Sequence, residues 1–254
     1  MTAQNAMLGG RRVVVVGGSE GIGREVVLRT VAAGAEVVFG GRRLDALEAV
    51  AEAAGGGSPV AVDVTDDASI ERFVSEASAH LGRIDMVFST AGSASLCRLA
   101  ASDRETWQRT LAVNVVGFNQ LARALLPVLA ERAIVVALSS ESAAAPRDGL
   151  VAYAASKAAL EVSIRGWRYE HPEVRWSCAV VGATFPTQFG ATFEPREIGK
   201  TLRAWTRRGL MQTEFMEPGE VADALLGIYV PLLAAPSVAI EDVVLRSPSP
   251  VAGE

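Results

Sequence analysis

Seven short apolar runs punctuate the chain, at Arg12–Val16, Glu36–Gly40, Pro59–Asp63, Ile84–Ser89, Ala133–Ser139, Val174–Val181 and Val238–Leu245. Runs of this length, rich in Val and Ile, read as strands buried on both faces, and most of the gaps between them have room and periodicity for a helix. Strand alternating with helix predicts an α/β protein: a seven-stranded parallel sheet with helices on both faces, in a single domain over residues 1–254. Gly55-Gly56-Gly57 is too short for an interdomain linker and is read as a helix end before the third strand.

One stretch changes this picture briefly. Ala224–Ile240 carries no charge, but it is shorter than the ~20 residues a membrane span needs, and Pro231 and Pro236 interrupt it. A buried helix, a turn and the last strand account for it, so no membrane association is expected. The net charge of −5 offers no long-range attraction for nucleic acid. Two cysteines, Cys97 and Cys178, form neither a disulfide framework nor a metal-ligand spacing, and the two histidines, His80 and His171, add no metal motif. With no apolar core in Met1–Gly10 to suggest a leader, the expectation is a cytoplasmic protein without a metal site.

Chemistry concentrates in three places. After the first strand, Gly17-Gly18-Ser19-Glu20-Gly21-Ile22-Gly23 leads into a helix beginning near Arg24. A tight glycine turn before a helix N-terminus lets backbone amides approach a pyrophosphate. Tyr153 and Lys157, four residues apart in a helical stretch, share one face, where an ammonium favours the phenolate and lowers the tyrosine pKa toward the range useful for proton transfer. Ser140 closes the fifth strand thirteen positions before Tyr153, and Asn114 follows a helical stretch further upstream. Alternation along the strand separates Ser140 from its neighbour Ser139.

The glycine spacing G-x-x-x-G-x-G, taken with Asn114, Ser140, Tyr153 and Lys157 in this order, resembles the short-chain dehydrogenase/reductase family over nearly the whole chain. That resemblance implies a doubly wound Rossmann fold binding NAD(P)(H), and an oxidoreductase interconverting a ketone or aldehyde and an alcohol. It implies catalytic roles for Ser140 as hydrogen-bond donor to the substrate oxygen, Tyr153 as acid/base, Lys157 as its electrostatic partner and ribose ligand, and Asn114 as holder of a relay water. It further implies that Gly17, Ser19, Gly21, Ile22 and Gly23 contact the cofactor, that Asp63 and Val64 hold the adenine, and that Ala91 and Gly92 lie beneath it in Ser89-Thr90-Ala91-Gly92, where relatives carry Asn-Asn-Ala-Gly. A helix N-cap is the alternative for Asp63. Thr187 is the candidate for the nicotinamide carboxamide, with Thr184 as the alternative.

Where an NAD-preferring site places a carboxylate after the second strand, this chain has Gly41 followed by Arg42 and Arg43, which points to NADP(H), with Arg42 on the 2′-phosphate. Glu20, inside the glycine loop, argues the other way, and NAD(H) stays open. Phe185, Phe189, Phe193, Trp205, Met211, Phe215 and Met216 gather within 183–216 and are read either as an apolar substrate lid or as core and subunit packing. Arg203, Arg207 and Arg208 beside Trp205 are read as a solvated helix face, with contact to a phosphate or a carrier-bound substrate as the alternative. A small-molecule carbonyl or alcohol substrate and a homodimer or homotetramer are expected, the resemblance placing the Val151–Glu170 helix at a subunit contact. A cofactor-sensing regulator on the same fold and a purely associating sheet protein are the other readings.

Overall fold

The computed structural model describes residues 7–190, 193 and 195–250. Its sheet comprises β1 (Arg12–Val16), β2 (Glu36–Gly41), β3 (Ser58–Ala61), β4 (Ile84–Ser89), β5 (Leu129–Ser140), β6 (Arg175–Val181) and β7 (Asp242–Leu245), in the order β3-β2-β1-β4-β5-β6-β7 with every recorded pairing parallel. The helices are α1 (Gly21–Ala32), α2 (Leu44–Ala54), α3 (Asp67–Leu81), α4 (Arg104–Leu111), α5 (Phe118–Leu125), α6 (Val151–Glu170), α7 (Pro195–Arg207) and α8 (Pro218–Tyr229). A π-helical segment, Ala112–Gly117, joins α4 to α5.

Two apolar layers sandwich the sheet. On one face Val13, Val15, Phe39 and Phe88 meet Val26 and Val27 of α1, Leu47 of α2 and Leu225 and Tyr229 of α8. On the other, Val14, Val16, Val87 and Val135 meet Phe73 of α3, Leu121 and Leu125 of α5 and Leu160 of α6. Alternate residues of β1 feed opposite layers, which is why that strand is apolar throughout. The run Arg104–Val128 is long and apolar enough to cross a membrane, yet the π-segment interrupts it and Phe118, Leu121, Ala122 and Leu125 are buried against the sheet.

Several boundaries differ from the sequence reading, each for a tertiary reason. Helix α1 begins at Gly21 rather than near Arg24, directly on the glycine turn. Strand β5 starts at Leu129, four residues early, because Leu129 pairs with Ile84 ahead of a register shift, and Arg132 there has a φ of 58°. Strand β7 starts only at Asp242. Before it, the Arg175 guanidinium donates to the carbonyls of Leu232, Ala235 and Val238, so this stretch is held by a side chain instead of a ladder.

Strand order reverses between β1 and β4, and the carboxyl ends of the strands on either side open a crevice there. Val16 pairs with Gly40 and with Ser89, Ser89 with Ala137, and Ser140 with Val181. This register brings the glycine turn, Thr90–Gly92 and Ser140 to one rim of the sheet.

Candidate active site and cofactor cleft

The glycine turn is built by close approach. At Gly17, with φ 94°, a Cβ would stand 2.5 Å from Thr90 Oγ1 and 2.6 Å from the Ala91 nitrogen, so β1 can meet β4 this tightly only without a side chain. At Gly23 a Cβ would collide with the Gly17 carbonyl, which fixes α1 against the turn. Thr90 Oγ1 lies 3.0 Å from the Val16 carbonyl and 3.1 Å from that of Gly17, to which it donates, so the Thr standing in the Asn-Asn-Ala-Gly position supplies the hydrogen bonds that turn needs. Helix α1 has no side-chain cap and no acid in its first turn, which leaves its N-terminal amides and dipole facing the crevice. That is the environment an anionic diphosphate requires, and the residues present fit a dinucleotide. Thr187 stands over this turn, its Cγ2 3.6 Å from where a Gly21 Cβ would lie, whereas Thr184 donates back to the Gly182 carbonyl at 3.1 Å. The geometry therefore brings Thr187, and not Thr184, onto the cofactor loop.

Tyr153, Ser156, Lys157, Leu160 and Ile164 form the buried stripe of α6. Ser140 ends β5 beside it, accepting from the Ser142 amide at 3.2 Å and lying near enough to the Tyr153 hydroxyl to favour its ionised form. Ser139 points to the opposite side, donating to Glu161 at 2.6 Å. Lys157 Nζ donates to the Leu138 carbonyl at 2.7 Å and lies 5.8 Å from the centre of the Tyr153 ring. A Cβ on Gly92 would stand 3.6 Å from both Lys157 Nζ and Asn114 Oδ1, so the sheet rim, the lysine and the asparagine meet around that glycine.

Asn114 sits in the π-segment and acts as a clasp. Its Oδ1 accepts from the Ser93 amide at 2.7 Å, and its Nδ2 donates to the Ser93 carbonyl and to Ser156 Oγ, both at 2.8 Å. Ser156 Oγ in turn donates to the Tyr153 carbonyl at 2.7 Å, so Asn114 couples the chain after β4 to the first turn of α6. Both Nδ2 hydrogens are taken and Oδ1 already accepts from Ser93, so a relay water would meet the second lone pair of Oδ1 or the main-chain carbonyl.

The electrostatics correct one expectation. Burial pushes the Tyr153 hydroxyl up to about 12, and the nearby Ser140 hydroxyl and the Arg147 charge offset this only in part. Burial also brings Lys157 down to about 8. In the protein by itself, desolvation outweighs the ion-pair effect read from the Tyr153–Lys157 spacing, because the ammonium is turned onto a backbone carbonyl.

At the end of β3, Asp63 is not a helix cap. Its Oδ1 accepts from the Thr65 amide at 2.9 Å and from Thr65 Oγ1 at 2.7 Å, while Asp66 caps α3. These bonds, with the Arg42 charge, hold the Asp63 carboxyl below its ordinary range. The Val64 carbonyl lies 2.7 Å from where a Gly117 Cβ would stand, which packs this turn on the π-segment. An open cleft of about 460 Å³ beside it is lined by Arg42, Asp63 and Arg72 among others, and lies on the β2–β3 edge away from Tyr153. Glu20 binds Arg43 at 2.7 Å.

Sequence reasoning missed a charged cluster at the end of β5. Glu141, next to Ser140, binds Arg147 and, at 3.2 Å, Arg246 beyond β7. Arg147 lies 5.6 Å from the centre of the Trp205 ring on α7, Trp205 donates to the Asp148 carbonyl at 3.0 Å, and Arg208 pairs with Asp148 at 2.9 Å. Trp205 is thus buried, while Arg203, Arg207 and Arg208 are exposed as a solvated face requires, Arg208 pairing there with Asp148. The only signal available was the unexplained Glu directly after Ser140. Of the other aromatics, Phe189 packs edge-on against Tyr153 at 5.1 Å and Phe193 lies 5.6 Å from Phe189, whereas Phe185 and Phe215 are largely exposed. Residues 191, 192 and 194 of this segment lie outside the described residues.

A doubly wound sheet with a glycine turn at the strand-order reversal and a Ser, Tyr and Lys group beside it defines a dinucleotide-binding oxidoreductase fold. The chain belongs to the short chain dehydrogenase family, whose model matches residues 11–197. It is 37% identical over 161 residues to a short chain dehydrogenase of Pseudocercospora fijiensis, covering 60% of this chain and 52% of that one. It is also 37% identical over 169 residues to the glycine betaine reductase ATRR of Emericella nidulans, covering 64% of this chain and 13% of the relative. The chain thus spans about half the length, or far less, of these relatives. A Brucella melitensis short-chain dehydrogenase/reductase of glucose/ribitol dehydrogenase type superposes with a TM-score of 0.81 at 25% identity, covering 94% of this chain and 96% of that one. An alcohol dehydrogenase from Thermococcus sibiricus, solved with 5-hydroxy-NADP, shares the fold with a TM-score of 0.79 at 24% identity over 94% and 97% of the two chains.

Proposed function

We propose that the protein is an NADP(H)-dependent oxidoreductase that interconverts a ketone or aldehyde and an alcohol on an apolar small molecule. The observation that carries this reading is the meeting of Lys157 and Asn114 at Gly92, with Tyr153 one turn before Lys157 on α6 and Ser140 at the end of β5, next to a glycine turn whose helix amides are uncapped. The nicotinamide cofactor supplies or accepts the hydride when bound. The chain's own residues do the rest. Ser140 hydrogen-bonds the substrate oxygen, and Tyr153 gives its hydroxyl proton to that oxygen in reduction or takes it in oxidation. For this the Tyr153 pKa must fall from about 12. Moving the Lys157 ammonium from the Leu138 carbonyl toward the ribose and the phenol is the change that would lower it. Asn114 keeps α6 in register with Ser93 and supports a relay water.

Three observations favour the phosphorylated cofactor. Gly41 offers no carboxylate, and a Cβ there would meet only Ser19 Oγ at 3.5 Å and Leu47 at 3.6 Å within the nearest shell. Arg42 lines the cleft beside Asp63. Glu20, the residue arguing for NAD(H), is engaged by Arg43. Ser19, Gly21, Ile22 and Gly23 would bind the diphosphate, Asp63 and Val64 the adenine, Ala91 and Gly92 the cofactor's underside, and Thr187 the carboxamide. Residues 183–216 form the substrate lid, with Phe189 covering Tyr153. A homo-oligomer in the cytoplasm completes the proposal.

The test is an absorbance assay of NADPH and NADH oxidation against a panel of apolar ketones and aldehydes, with the matching alcohols in reverse. Turnover with NADPH that disappears in Tyr153→Phe supports the reading. Binding of either cofactor without turnover on any substrate would favour a dinucleotide-sensing protein.

A further inference from the structure

Tyr153, Lys157 and Glu161 recur every four residues along α6 and so lie along one face of the helix. The last two reach consecutive residues of β5: Lys157 Nζ donates to the Leu138 carbonyl at 2.7 Å, and Glu161 Oε1 accepts from Ser139 Oγ at 2.6 Å. Both bonds are to neutral groups. Lys157 is only 4% exposed, and a buried ammonium is costly without a compensating charge.

The other groups packed around Lys157 do not provide one. From its own helix Tyr153 is held neutral, its hydroxyl pushed up to about 12 by burial. From β6 Cys178 is likewise pushed up to about 12 by burial, so it faces the lysine as a thiol. Arg168 and Asp242 lie beyond Cys178 and pair with each other at 2.9 Å. From the π-segment comes the neutral Asn114, and from the rim after β4 the bare backbone of Gly92. Cys178 and then Glu161 act to raise the Lys157 pKa, and with Cys178 held as a thiol the Glu161 carboxylate is, among the described residues, the anion whose field favours the ammonium.

We propose that Glu161 is a positioning residue for the proton machinery: anchored by Ser139, its half-buried carboxylate is the counter-charge that keeps Lys157 protonated beside Tyr153. This rests on the reading of Lys157 as the functional ammonium. It gives Ser139 a separate task, with Ser140 serving the substrate side of β5 and Ser139 the lysine side.

The sequence holds two lysines, Lys157 and Lys200, so a protein carrying 13C at lysine Cε gives two resonances, assigned with Lys200→Arg. Their pH titration reports each ammonium directly, with no cofactor or substrate present. In Glu161→Gln the Lys157 midpoint is expected to fall by about half a pH unit or more, with Lys200 unmoved. Ser139→Ala should shift it the same way by less. The alkaline limb of reductive kcat should move down with the midpoint while substrate KM stays within about twofold, since Glu161 does not touch substrate. An unmoved Lys157 midpoint in a Glu161→Gln protein that keeps its cooperative unfolding transition overturns the proposal. If that variant does not fold, the double change Glu161→Met with Ser139→Ala removes both polar partners together and is judged by the same midpoint. If Tyr153→Phe retains turnover while the midpoint still moves, the counter-charge stands and the assigned acid/base role is what fails.

Discussion

Glu20 Oε2 and Arg43 Nη2 stand 2.7 Å apart across the mouth of the glycine turn. The pair joins the loop after β1 to the end of β2, both sides being largely exposed. By engaging the one carboxylate of the glycine loop it leaves the neighbouring Arg42 as the base set toward Asp63 and the cleft.

Cofactor titrations test this division of labour. Arg42→Ala is expected to weaken NADPH by roughly tenfold to a hundredfold, the worth of charge-assisted hydrogen bonds to a phosphate, while NADH scarcely changes. Gly41→Asp should reverse the preference, because a carboxylate repels the phosphate and accepts from a free ribose hydroxyl. Glu20→Gln should strengthen NADPH by a few-fold, on the order of 0.5 kcal/mol for an exposed pair. Tighter NADH than NADPH binding in the unmodified protein would sink the assignment.

Removing the Tyr153 hydroxyl should abolish chemistry without emptying the site. Tyr153→Phe keeps the ring that packs against Phe189 and is expected to retain cofactor affinity while losing at least about a hundredfold in kcat, roughly 2.7 kcal/mol of barrier. Lys157→Ala should lose both binding and turnover. Single-turnover rates with saturating cofactor separate the two effects.

The buried lysine makes a stability prediction whose sign follows from its pKa. Unfolded, Lys157 holds its proton up to about 10.5; folded, burial lets it go at about 8. Between those values unfolding takes up a proton, so this group's contribution improves as pH rises through that window, and its whole penalty, about 3 kcal/mol, is present below pH 8. Lys157→Met should therefore be the more stable protein in urea at pH 7, with the gap narrowing between pH 8 and 9. Equal stabilities at pH 7 would show that the ammonium is not desolvated as described.

The proposed lid should answer to Glu141. In Glu141→Gln the mostly buried Arg147 loses its counter-charge, a loss of about 3 kcal/mol by the usual cost of unpairing a buried ion. Thermal unfolding is expected at lower temperature, with a higher KM for bulky substrates as Arg147 releases Trp205. The double variant Glu141→Gln with Arg147→Met should recover much of the stability, and additive losses in that cycle would refute the coupling.

The chain by itself determined the seven strands, their parallel arrangement and the identity of the glycine turn, because alternating buried strands and helices leave a local apolar signature. It also marked Ser140, Tyr153 and Lys157, whose chemistry depends on residue type at fixed spacing. Only the tertiary structure decided what lies beside them. No local pattern shows that Glu20 meets Arg43, that Glu141 gathers Arg147 and Arg246 from loops far apart in sequence, or that Ser139 faces Glu161 across β5 and α6. The Tyr153 pKa follows the same division: spacing registers the neighbouring ammonium, but burial is a property of the packed fold, and here desolvation is the larger effect.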